Sequence, residues 1–173
     1  MGLLPLNEPI KTMDLPSMRQ VLGHIQKAGI GKAIQFTDQD NGAELENAFE
    51  RLNLALEESP APEFEWERLS GILGIDLLSR LLGTAVASIR RYRSATRTTP
   101  DDVAGRLHLL SLTVGDLSGG YNEAGIRQWF DRKRVQLGGK SPAELLGKTW
   151  AADDENARKV RELARSLTAA AAT

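Results

Sequence analysis

Residues 76–93 read DLLSRLLGTAVASIRRYR, and this stretch decides the fold. Leu78 and Leu82 are four apart, so on a helix both fall on one face and turn towards a core. Gly83 follows, the residue type that most easily takes the left-handed backbone of a tight helix-to-helix corner. Thr84 is a capping residue type, and after it Val86, Ile89 and Tyr92 or Arg93 recur on one face of a second helix. That face packs back on the first helix and leaves Ala85, Ala87, Ser88, Arg90 and Arg91 pointing outward. The layout is that of a helix-turn-helix whose second helix is a candidate recognition helix, although Ser79 stands where such motifs usually carry alanine. Small residues at its front allow close approach to a groove. Arg90 and Arg91 suit guanine or phosphate, and Arg93 and Arg97 would add backbone contacts. The expected DNA-binding set is therefore Ala85, Ala87, Ser88, Arg90, Arg91, Arg93 and Arg97. An ordinary helical corner with solvated arginines is the alternative; four arginines and no acid between positions 84 and 99 favour the first.

Working outward, the charge is segregated. The 173 residues carry a formal net charge of -1, but residues 38–67 hold ten acids against Arg51 alone, and residues 68–99 hold six bases against Asp76 alone. An acidic block thus runs directly into the basic one that contains the corner, which is where a polyanionic partner is expected. The acidic block holds Leu45, Ala48, Phe49, Leu52 and Leu56 at helical spacing, an amphipathic helix of about four turns. Ser59-Pro60-Ala61-Pro62 breaks the chain after it, and Phe64, Trp66, Leu69 and Ile72 suggest a further helix stopped near Gly74. Residues 1–37, with Pro5, Pro9 and Pro16, read as an extension with a short helix around Met18 to Ala28. The one weak strand pattern is Ala33 to Thr37. Thr99-Pro100-Asp101-Asp102 starts a helix through Val103, Leu107, Leu110, Val114 and Leu117, with Thr99 as cap and Pro100 in the first turn. Helices are also expected over Glu123 to Phe130, after Ser141, and over Asp153 to Leu167, with a mobile tail beyond. The expected fold class is all-α. Its divisions are an N-terminal extension over 1–60, a helix-turn-helix domain over 61–118, and a small helical domain over 119–173.

The last of these contains YNEAGIRQWFDRKRVQLGGKSPAELLG, residues 121–147. Trp129-Phe130 end one helix, Leu137-Gly138-Gly139 makes a turn that glycine accommodates, and Ser141-Pro142-Ala143-Glu144 is a capping box with proline at the first helical position. On packing grounds Trp129, Phe130 and Leu145 fit a core, Arg127, Arg132, Lys133 and Arg134 face either a partner or solvent, and Trp150 fits either place. Over residues 66–167 the chain resembles the Xre/MbcA/ParS-like antitoxins. In these an Xre-like helix-turn-helix precedes a helical toxin-binding domain with a Trp, a Leu-Gly-Gly turn and a Ser/Thr-Pro-x-x-Leu-Leu helix start. The chain departs from that pattern at Asp131-Arg132-Lys133-Arg134, where the family has a Pro-Asn pair, and at Trp150-Ala151-Ala152-Asp153, where many members have a glycine. The resemblance implies an antitoxin of a type II toxin-antitoxin system. Its partner would be a cognate RES-type toxin that consumes NAD, blocked by occlusion of the toxin's active site. It implies toxin contact through Arg127, Trp129, Arg132, Lys133, Arg134, Leu137, Gly138, Lys140 and Trp150, with no cofactor on the antitoxin.

Other chemistry is excluded residue by residue. No cysteine is present, and only His24 and His108 are available as imidazoles, so no thiol or metal site is expected. His108 has no histidine or glutamate four residues away and reads as a core or boundary imidazole. Gly139-Lys140-Ser141 would need glycine at Arg134 to end a phosphate loop, and Gly29-Ile30-Gly31-Lys32 is followed by Ala33 rather than a hydroxyl. No serine has the GxSxG setting. The expectation is a non-enzymatic, cytoplasmic protein with no membrane segment and no secretory signal, dimeric so that two recognition helices meet two half-sites of an operator. The rival expectations are a helix-turn-helix regulator with no toxin, and an adaptor that binds no DNA and docks through residues 38–67.

Overall fold

The computed structural model describes residues 14–35, 37 and 42–171, and every regular element among them is helical. Expectations for Pro5, Pro9, residues 38–41 and the last two residues of the tail lie outside the described residues. The chain divides into two compact units at Ala61/Pro62, within the break expected at residues 59–62.

The N-terminal unit holds α1 (Leu15–Lys27) and α2 (Gly42–Glu58). Asp14 caps α1 by accepting from the Ser17 backbone N–H at 3.0 Å, with Pro16 in the first turn where its missing N–H costs nothing. Gln26 Nε2 donates to the carbonyls of Gly31, at 3.2 Å, and Ile34, at 2.8 Å, and so closes the turn that follows. Ile30 and Ile34 are buried there together with Leu22, Ile25, Ala48 and Leu52. The weak strand expectation fails: Ala33 lies in this turn and Ile34 and Gln35 are irregular.

The second unit comprises α3 (Pro62–Leu73), α4 (Ile75–Leu82), α5 (Val86–Arg93), α6 (Asp101–Leu117), α7 (Glu123–Asp131), a single 3-10 turn (Val135–Leu137), α8 (Pro142–Leu146) and α9 (Glu155–Ala171). At its centre α6 packs against both α3 and α9 and is buried on nearly every side. That burial explains why the sequence from Leu107 to Val114 shows no amphipathic stripe. One apolar core, from Trp66 through Trp129 to Ala164, runs through both of the stretches that the sequence divides at residue 118. The helix expected to end at Leu167 continues through Ala171.

Arg106 and His108 of α6 enter this core with partners on other helices. Arg106, 9% exposed, donates to the Leu82 carbonyl at 2.8 Å and the Asp102 carbonyl at 3.1 Å, and pairs with the Asp102 carboxylate. His108 Nδ1 lies 2.6 Å from Oε1 of Glu65, whose side chain is fully buried on α3. His108 is thus the core imidazole its sequence context suggests.

Two caps differ from expectation. The Thr99 hydroxyl is occupied as acceptor of the Trp66 indole N–H at 3.0 Å, and Pro100 takes the N-cap position of α6. The Thr84 hydroxyl turns back to the Leu82 carbonyl, at 3.3 Å, and Ala85 stands at the N-cap of α5 without a side-chain cap.

Candidate functional site

The α4–α5 corner is built as its glycine requires. Gly83 has φ +62, and a Cβ there would stand 1.9 Å from the Lys148 carbonyl oxygen, so glycine serves both the turn and a close backbone approach. The last carbonyls of a helix have no partner within it. In α4 that of Leu81 accepts from the Trp150 indole N–H at 2.8 Å, and that of Leu82 from Arg106. The corner is therefore clamped from outside the two helices, by α6 and by residues 148–150.

On α5, Ile89 and Tyr92 are buried while Ala85, Ala87, Arg90, Arg91 and Arg93 are exposed and Ser88 is half-buried. Of the face expected to point outward, Ala85, Ala87, Arg90 and Arg91 do so and Ser88 does so in part. Its arginines are held differently. Arg93 pairs with Glu67 of α3 at 2.8 Å, and Arg91 reaches the Ser88 hydroxyl at 3.5 Å. Arg97, beyond the helix, lies 5.7 Å from the ring centre of Tyr92, which stacks on Trp66 at 5.9 Å. Ala95, at φ +55, turns the chain so that the Arg97 N–H reaches the Arg91 carbonyl at 3.2 Å. Arg90, Arg91 and Arg97 are free of an ion pair among the described residues, Arg97 lying against the Tyr92 ring, whereas Arg93 must leave Glu67 to meet phosphate.

The expected toxin contacts separate into two groups. Trp129, Leu137 and Trp150 are buried, at 1%, 7% and 7% exposure, so they support the surface and do not form it. Trp129 meets Phe130 edge-on at 5.1 Å and lies 5.2 Å beneath the Arg134 guanidinium. Arg127 is half-buried and donates to the Ile72 carbonyl at 2.5 Å, closing the end of α3. Arg132, Lys133, Gly138 and Lys140 are exposed, on a tight loop that α7 and α8 hold at its two ends. Neighbouring Asp131 is engaged by Arg80 at 2.7 Å, and the hydrogen bond that Arg80 donates to it raises the Arg80 guanidinium above its ordinary pKa.

The capping box on α8 is present in full: the Glu144 N–H donates to Ser141 Oγ at 3.1 Å and the Ser141 N–H to Glu144 Oε2 at 2.8 Å. That backbone donor holds the Glu144 carboxyl below the usual carboxylate range, with Lys133 and Lys140 adding to the effect. A depressed folded-state pKa contributes stability above the unfolded value and loses it as pH falls through the folded one. The melting-temperature difference between wild type and Glu144→Gln is therefore expected to be present at pH 7 and to shrink as the pH is lowered through the carboxylate range. A difference that grows on acidification would contradict the box.

The described residues thus present two cationic surfaces on one core, the α5 face and the 132–140 loop. Neither carries a nucleophile–base pair, and no group of three or more metal-ligating side chains occurs among the described residues. No described helix is long and apolar enough to cross a membrane. No family model, curated protein or solved structure matches the chain. Sequence reasoning missed the second role of Gly83, the clamp by Arg106 and Trp150, the Glu65–His108 pair, and the exposure of Val135. For Arg106 and His108 a signal existed, two charged or polar residues inside an apolar run that had to find partners.

Proposed function

We propose that the chain is the antitoxin of a type II toxin-antitoxin pair. It binds a RES-type, NAD-consuming toxin through the 132–140 loop and its surroundings and, as a dimer, binds operator DNA through α5. It catalyses no reaction and needs no cofactor. The toxin half of this proposal rests on the resemblance of residues 66–167 to the Xre/MbcA/ParS-like antitoxins. The observation that carries the DNA half is the exposed face of α5. There Arg90 and Arg91 stand without acidic partners next to small residues, on a helix whose corner is fixed by Gly83 and clamped through Leu81 and Leu82.

Two unpaired arginines on phosphate or base edges imply that binding to the chain's own upstream DNA weakens steeply with salt. Arg90→Ala/Arg91→Ala is expected to lower affinity by about 1–3 kcal/mol per lost base contact, or to reduce the salt slope by about one for each lost phosphate contact. Fluorescence anisotropy at several salt concentrations measures both, and unchanged binding of the double variant would remove α5 as the recognition helix. The same DNA binding with no toxin gene nearby would favour a stand-alone regulator. Copurification with the product of an adjacent gene tests the toxin half.

A further inference from the structure

Val135 is 91% exposed, far more than Leu54, at 56%, or Tyr121, at 37%. A single surface valine is ordinary, but this one is held and surrounded in an unusual way. The Arg134 N–H donates to the Lys140 carbonyl at 3.0 Å and the Gly139 N–H to the Arg134 carbonyl at 2.9 Å, so the two ends of the loop are tied together. The Gly138 N–H closes on the Val135 carbonyl at 2.9 Å, with Gly138 at φ +65. Arg134 is fixed over Trp129, and Ser141 begins the α8 capping box. Val135 is therefore presented on a preorganised support, which lowers the entropy lost when it is bound.

The loop that carries it is rich in cations, and the two acids that flank it are engaged, Asp131 by Arg80 and Glu144 by the Ser141 N–H. Arg132, Lys133, Arg134 and Lys140 lie in the same loop, with no acid between positions 132 and 140. An apolar knob on a cation-rich loop matches an apolar socket bordered by carboxylates: burial of the centre supplies affinity, and the charges supply orientation and fast association. Resting on the antitoxin proposal, we infer that Val135 is the apolar anchor of the toxin contact, inserted into such a socket on the toxin. The three buried residues of the expected contact set, Trp129, Leu137 and Trp150, are then the floor beneath this loop and corner.

The test measures the affinity of the full chain for the purified product of the adjacent gene by calorimetry, with melting curves as a control for folding. Val135→Asp places a carboxylate in an apolar, acid-rimmed socket and is expected to weaken binding about 30-fold or more, while Val135→Ile stays within about threefold of wild type. Leu54→Asp, the same kind of change at an exposed leucine of α2, is expected to leave binding unchanged. Arg132→Glu/Lys133→Glu is expected to slow association and flatten its salt dependence. Wild-type affinity in Val135→Asp would overturn the anchor and leave the antitoxin proposal standing. Failure of the wild-type chain to bind the neighbouring product would overturn both. A change in the mass of the chain alone on Val135→Asp would place the knob between two copies and overturn its assignment to the toxin.

Discussion

Gly83→Ala is expected to destabilise the second unit by about 3 kcal/mol or more, lowering its melting temperature by roughly 13 °C or more. Two penalties act together. Alanine at φ +62 carries a left-handed backbone cost of about 1–2 kcal/mol. The greater penalty is steric, because the new Cβ would lie 1.9 Å from the Lys148 carbonyl oxygen, which is backbone and cannot rotate away. Relief requires residues 148–150 to withdraw from α4, and that would break the bond from the Trp150 indole to the Leu81 carbonyl. Gly138→Ala is the matched control: it has φ +65 with open space where the Cβ would be, so it should show the backbone cost alone. Equal losses for the two variants would contradict the close approach at the corner.

His108→Ala is expected to cost about 3–5 kcal/mol, read from urea denaturation, because it leaves Glu65 buried without its imidazole partner. The Glu65 side chain is wholly inaccessible, and its second oxygen, Oε2, already lacks a hydrogen-bond partner among the described residues. Removing the Nδ1 contact at 2.6 Å therefore strands a carboxyl group that water cannot reach. Replacing both residues by leucine, Glu65→Leu/His108→Leu, should recover most of that loss, since apolar side chains of similar volume often substitute for a buried pair at little net change. A double variant as unstable as the single one would mean that His108 acts through packing and not through Glu65.

What the sequence made legible follows from the range of the forces involved. Local features were readable: the leucine spacing of α4, the left-handed glycine at 83, the outward arginines of α5 and the Ser141–Glu144 capping box each depend on residues within one helical turn. The misplaced features depend on partners distant in the chain. Thr99 has the chemistry of a cap, but Trp66, 33 residues away, takes its hydroxyl. Trp150 gave no local sign of its target, Leu81, which lies 69 positions earlier. Trp129 and Leu137 lie beside cations in sequence, yet in space the cations form the outside of the loop and the apolar side chains its floor. Val135 escaped notice for the converse reason: a single valine after four charged residues carries no local sign of where it points, and only the geometry of the 3-10 turn shows that it faces out.

The central claim is that this chain neutralises an NAD-consuming toxin, and co-expression tests it most directly. Cells carrying only the adjacent gene should arrest growth with depleted NAD, and adding the gene for this chain should restore both growth and NAD. Continued NAD loss in the presence of stably produced antitoxin, or an adjacent gene whose product is harmless, would contradict the account.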